Sequence, residues 1–139
     1  PTKSAVLVSD PYDPLIADSV GAQPLNLSAV ERTRRGMQAA LGHMDAVEDV
    51  TVRRRVRLVR STPSLRAAVA AATAATEQAI VDRLMVDGFD SFEARVAAAA
   101  CLAAATAALL ELPDLDGTVG DAVSKALCQL GPDSLSGMS

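Results

Sequence analysis

The chain has 139 residues, of which 50% are hydrophobic and 22% charged, with a net charge of −4. That length suits one domain with its own core, and the hydrophobic share excludes intrinsic disorder. The acidic balance, with a pI near 4.9, argues against strong nucleic-acid binding by this chain itself. The aromatic residues are Tyr12, Phe89 and Phe92, so the apolar fraction is mostly Ala, Val and Leu. Small side chains suit closely packed helices. A β-sandwich or barrel would need aromatic and β-branched residues spread over many short strands. Cys101 and Cys128 sit in apolar helical patterns with no CxxC. That disfavours a disulfide scaffold or a cysteine metal site and fits a reducing cytoplasm. No N-terminal signal sequence is visible. The longest nearly apolar run, Val96 to Leu110, is roughly 15 residues, against about 20 for a bilayer span, so no membrane association is expected. The first residue is Pro1 rather than Met, which fits a fragment of a longer product.

Helical periodicity and punctuation predict about six helical segments. The first covers about Lys3 to Ala22, interrupted by Pro11 and Pro14. A break is expected near Ser9 to Asp13, with Asp13-Pro14 as cap and first helical residue. The second runs from about Leu27 to Leu41, and Ser28 with Glu31 fits a capping box. Val30, Met37 and Leu41 share its inner face, while Arg32, Arg34 and Arg35 lie mainly elsewhere. In the third, about Val47 to Ser61, Val52, Val56 and Val59 recur at helical spacing. The fourth opens at Thr62-Pro63 and reaches about Val86, with Val69, Thr73, Thr76, Ile80 and Leu84 in one stripe. Gly88 stops it, and Asp90 with Glu93 offers another capping box for a fifth helix, about Ser91 to Leu112. A turn at Pro113 to Gly117 leads to the last helix, about Thr118 to Leu130, with Val119, Val123, Leu127 and Leu130 on one face. Residues 132–139 read as a flexible polar tail.

Little in this pattern asks for chemistry. His43 is the one histidine, without a second ligand at metal spacing, and a helix-end or surface role explains it. Both cysteines read as small hydrophobes. Asp10 and Asp13 each precede a proline, where turn and cap duty accounts for them. No phosphate loop, nucleophile elbow or zinc-protease motif is present. The expectation is therefore no enzyme, no cofactor and no metal. Arg53, Arg54, Arg55, Arg57 and Arg60 form the main charge feature. A solvated face paired with acids is its plainest reading, with one or two arginines reaching an anionic ligand group as the functional one. Ala99, Ala100, Ala103, Ala104 and Ala107 make the fifth helix smooth, which permits short interaxial distances.

Pro1-Thr2-Lys3-Ser4-Ala5-Val6 resembles the segment that closes the DNA-binding domain of TetR-type transcriptional regulators, although Ser4 stands where an acidic residue is common. Arg57 to Ala67, with its Ser-Thr-Pro-Ser-Leu-Arg core, resembles a Thr-Pro-x-Leu-Arg stretch at the same distance from the family's linking helix. The final helix pair matches the family's dimerising pair in place and order. The nearest subgroup resembles the mycofactocin regulators. The resemblance extends to about Gly131.

The resemblance implies an all-α effector-binding and dimerisation domain over 1–131, with a helix-turn-helix head of roughly 50 to 60 residues preceding Pro1. It implies a cytoplasmic homodimer that touches DNA only through that head. A small hydrophobic effector would bind between the helices. The inward stripes, with Tyr12 as a hydroxyl at the edge, nominate Tyr12, Met37, Leu41, Val59, Val69, Thr73, Thr76 and Cys101 for the pocket. The last two helices would form a four-helix interface through Ala99, Ala100, Ala103, Ala107, Leu110, Val119, Val123, Leu127 and Leu130. A helical protein-interaction module without a small ligand is the alternative.

Overall fold

The computed structural model describes residues 12–42, 44–111 and 117–131. Among the described residues there are six α-helices and no strand: α1 (Tyr12–Gly21), α2 (Ala29–Leu41), α3 (Ala46–Ser61), α4 (Pro63–Val86), α5 (Ser91–Glu111) and α6 (Val119–Cys128). The helix expected before Pro11, the turn at 112–116, His43 and the tail 132–139 lie outside the described residues.

Local chemistry sets most helix starts. The Ser28 hydroxyl accepts from the Glu31 N–H at 3.1 Å. The expected reciprocal half of that capping box is not formed, because the Glu31 carboxylate accepts from Arg34 and Arg35 instead. Asp45 caps α3 and Asp90 caps α5, each accepting from the N–H three residues on at 2.8 Å. Thr118 and Asp121 form a full capping box on α6, which went unpredicted. Thr62 makes no side-chain cap, and α4 starts on Pro63 alone. Gly88, at φ +106°, supplies the left-handed residue that turns α4 into α5.

The core forms where α5 packs between α2, α4 and α6. Ala94, Ala97, Ala98, Cys101, Leu102, Ala105 and Ala108 are its buried face. These small residues meet Ile80, Val81 and Leu84 of α4, Met37 and Ala40 of α2, and Val119, Val123 and Leu127 of α6 in one cluster. By length and composition α5 passes the test for a membrane-crossing helix. Its buried alanine face is that of a bundle's core helix. α1 lies against α2 so closely that a Cβ on Gly36 would sit 2.5 Å from the Val20 Cα, so only glycine fits there.

Among the buried polar residues Glu31, Arg32, Thr33 and Thr76, the arginine is the largest. Arg32 was expected off the inner face of α2, yet it is 0% exposed. Its Nη2 donates to the Gly21 carbonyl at 3.1 Å, the Gln23 carbonyl at 3.4 Å and the Asp87 carboxylate at 2.9 Å. The guanidinium carbon stands 5.6 Å from the Phe89 ring centroid. A buried charge needs such partners, because desolvation costs several kcal/mol per ion. Asp87→Ala strands that charge and should lower unfolding free energy by about 3–5 kcal/mol, whereas Arg32→Met removes it and should cost less. Urea denaturation of both variants measures the difference; an equal or reversed order would contradict the assigned role of Asp87.

Candidate functional site

Beneath α3 the side chains do not meet. A cavity of about 240 Å³ remains, just under the range of about 300–1,000 Å³ common for drug-sized ligands. Its walls are Met37 and Leu41 of α2, Val52, Arg55, Val56 and Val59 of α3, and Val69, Ala72, Thr73 and Thr76 of α4. Leu102, Ala105, Thr106, Leu109 and Leu110 of α5, Val119 and Val123 of α6, and Ile16 and Met44 complete it. Among the described residues the lining is apolar except for three threonines and the charged Arg55. The Thr76 hydroxyl donates to the Ala72 carbonyl at 3.2 Å.

Six residues nominated from sequence line this cavity: Met37, Leu41, Val59, Val69, Thr73 and Thr76. Cys101 does not. It faces α2, with its Sγ 4.0 Å from the Val30 carbonyl. Burial pushes its thiol up to about 12, a neutral and unreactive group. Tyr12 belongs to α1, but its side chain lies outside the described residues. The other lining residues, Arg55 and Met44 among them, were not nominated for the pocket. Arg55 follows an arginine pair, and only the helical phase of Val52, Val56 and Val59 distinguishes it from its solvated neighbours.

α3 itself is thinly attached, with Val56 its sole buried residue. Its amino-terminal half is tied to α6 by charge. Asp49 accepts from the Val119 N–H at 2.6 Å and from Arg53 Nε at 2.8 Å, and Arg53 also donates to the Gly117 carbonyl. Desolvation opposes the Asp49 carboxylate, but the Val119 N–H and the Arg53 side chain outweigh it and hold its pKa below the ordinary value. On α2 the Arg34 hydrogen bond outweighs burial at Glu31, helped by Arg35, and lowers that carboxyl too. Arg54 and Arg57 are exposed, as a solvated face requires.

The residues nominated for a dimer interface fall into two sets. Ala99, Ala103, Ala107 and Leu110 are exposed on α5, with Ala100 half-buried. Phe92, at 77% exposed, and Val96, at 46%, extend the same stripe. Val119, Val123 and Leu127 must be withdrawn from the interface, because they are 1%, 1% and 0% exposed inside one protomer. They form the single apolar face of α6, and the protomer's own core uses it. Leu130 is partly buried against that same core.

The described residues thus form a six-helix bundle around an apolar cavity. The family described as MftR C-terminal domain matches residues 27–132. The chain belongs to that family, and so carries a TetR-type C-terminal domain of the mycofactocin-regulator subgroup, the effector-binding and dimerisation part of such regulators. No curated protein matches it.

Both lowered carboxylates have folded pKa values below their unfolded ones. Their stabilisation is complete above the unfolded value and disappears as pH falls through the folded one. Melting temperature should therefore drop on acidification from neutral pH, and Glu31→Gln should flatten that drop. A variant with an unchanged acid profile would show that Glu31 does not contribute. Native thiol titration should find Cys128 accessible and Cys101 silent until unfolding; rapid modification of both would refute the buried placement.

Proposed function

We propose that the cavity holds a small hydrophobic effector and that this occupancy modulates DNA binding by a helix-turn-helix head belonging to the same regulator. The observation that carries this reading is an apolar cavity in which Arg55 is the charged wall residue among those described. An effector with an apolar body and an anionic group satisfies both features, since a partly desolvated guanidinium favours an anion. The protein works as a cytoplasmic homodimer. The exposed α5 stripe of Phe92, Val96, Ala99, Ala103, Ala107 and Leu110 supplies the pairing face, and its small central residues allow two helices to approach closely.

Regulation follows from linkage. An effector shifts the spacing of two heads only by its difference in affinity between the DNA-competent and DNA-released states, typically 1–3 kcal/mol of coupling. α1 contributes Ile16 to the cavity and is the element through which that difference reaches a preceding head.

Native mass spectrometry gives the first test. A dimer near twice 14.3 kDa with retained small-molecule mass is expected. A clean monomer at micromolar concentration counts against the α5 pairing and favours a helical module for another protein. Thr73→Leu fills the cavity without touching the α5 stripe. Affinity for the fluorescent probe 1-anilinonaphthalene-8-sulfonate should fall at least about tenfold, or about 1.4 kcal/mol, while the dimer persists. Unchanged affinity would show that the probe does not occupy this cavity.

A further inference from the structure

We propose that the effector reaches the cavity sideways, through the depression between α2, α3 and α6, and that Asp49 is the latch that holds this passage shut. The proposal rests on reading the cavity as the effector site. Three observations converge on it.

The first is adjacency. A second depression on the surface is lined by Gln38, Gly42, Asp45, Ala46, Val50, Gly120 and their neighbours, and it shares Leu41 and Met44 with the apolar cavity. These two half-buried side chains therefore stand between the two spaces. Met44 is unbranched, and a thioether chain can rotate aside at little cost. Among the described lining residues, Gly42, Ala46 and Gly120 contribute little bulk to the outer mouth.

The second is weak attachment. α3 has no buried residue before Val56, so its amino-terminal half has little apolar packing to lose on moving outward. Its other end is better fixed. Arg66 of α4 donates to the Val59 and Arg60 carbonyls, and Thr62-Pro63 joins the two helices directly. α3 can therefore swing about its carboxyl end.

The third is the fastening itself. The moving half is tied across to α6 by the Asp49 bond to the Val119 N–H and by Arg53, which bridges Asp49 and the Gly117 carbonyl. The Asp49 carboxylate makes the first contact directly and holds the Arg53 side chain that makes the second. Releasing the carboxylate removes the direct tie to α6 and leaves Arg53 without its intrahelical support, which loosens the wall of the depression and the cover of the cavity together. A rival opening exists at Leu110, a cavity residue 43% exposed, but it lies on the α5 stripe assigned to pairing.

Stopped-flow binding of 1-anilinonaphthalene-8-sulfonate to the full chain tests the route. Val50 is 51% exposed and borders the outer depression but not the cavity, so Val50→Trp adds bulk at the mouth alone. Its association and dissociation should both slow about tenfold with the dissociation constant nearly unchanged. Asp49→Ala should speed both about tenfold, the factor expected when one charge-assisted hydrogen bond no longer opposes opening. Asp49→Asn keeps an acceptor and should fall between Asp49→Ala and wild type. Rates that stay the same in either Val50→Trp or Asp49→Ala, or a change confined to affinity, overturn the route. Failure of the wild-type chain to show saturable, Thr73-sensitive binding overturns the cavity reading beneath it.

Discussion

A guanidinium with no exposed surface sets the relation between three parts of the bundle. Arg32 reaches from α2 to two carbonyls at the end of α1 and to the carboxylate that closes α4. The carbonyls at a helix carboxyl end lack intrahelical partners, and here one cation satisfies Gly21 while neutralised by Asp87. Asp87 also accepts from Arg83 at 3.3 Å, which aligns the acid from its own helix. The Nε and Nη1 atoms of Arg32 have no hydrogen-bond partner among the described residues, so this contact is held by geometry more than by full satisfaction. Its value is positional. Ile16, Met37 and Thr76 line one cavity, and the helices that carry them, α1, α2 and α4, are joined at this point.

The cavity is the consequence of small residues packed around that fixed frame. α5 buries five alanines, one cysteine and one leucine, and α3 turns only valines and one arginine inward. Alanine permits close helices but cannot reach across a gap. Were the 240 Å³ sealed and dry, the penalty would approach about 6 kcal/mol at about 24 cal/mol per Å³. That is an upper bound, yet it is comparable with the whole stability of many domains, about 5–15 kcal/mol. A core with such a deficit gains from an occupant, which supports the proposed ligand response. The same smoothness leaves α5 apolar on its outer side, so one helix serves the core with one face and offers a second to a partner.

Helix positions were legible because punctuation and periodicity agreed. Ser28, Pro63 and Gly88 mark boundaries through backbone chemistry that acts locally, and the structure reproduces them to within two residues. The cavity's α4 wall was legible for a similar reason, since Val69, Thr73 and Thr76 occupy one stripe. What sequence could not supply was the partner across each face. Arg32 looked solvated because its acceptors lie 11 and 55 positions away in the chain. Val119, Val123 and Leu127 formed a clear apolar stripe, but a stripe does not say whether it meets its own protomer or another. Cys101 shared the inward side of α5 with Ala105, yet it turns toward Val30 while Ala105 reaches the cavity. Periodicity resolves a face of roughly 100° and no finer.

These placements define how a disturbance in the cavity must travel. The end of α1 at Gly21 is held by Arg32, whereas Ile16 touches the cavity five residues earlier. A helix held at its carboxyl end turns about that point when it is displaced further along. α1 spans ten residues, or about 15 Å at the usual rise, so its amino end moves further than Ile16 does. An occupant that shifts Ile16 outward therefore produces its largest effect at the start of α1. Under the proposed effector reading, the buried arginine would convert local filling of this gap into motion at the helix end farthest from the pin.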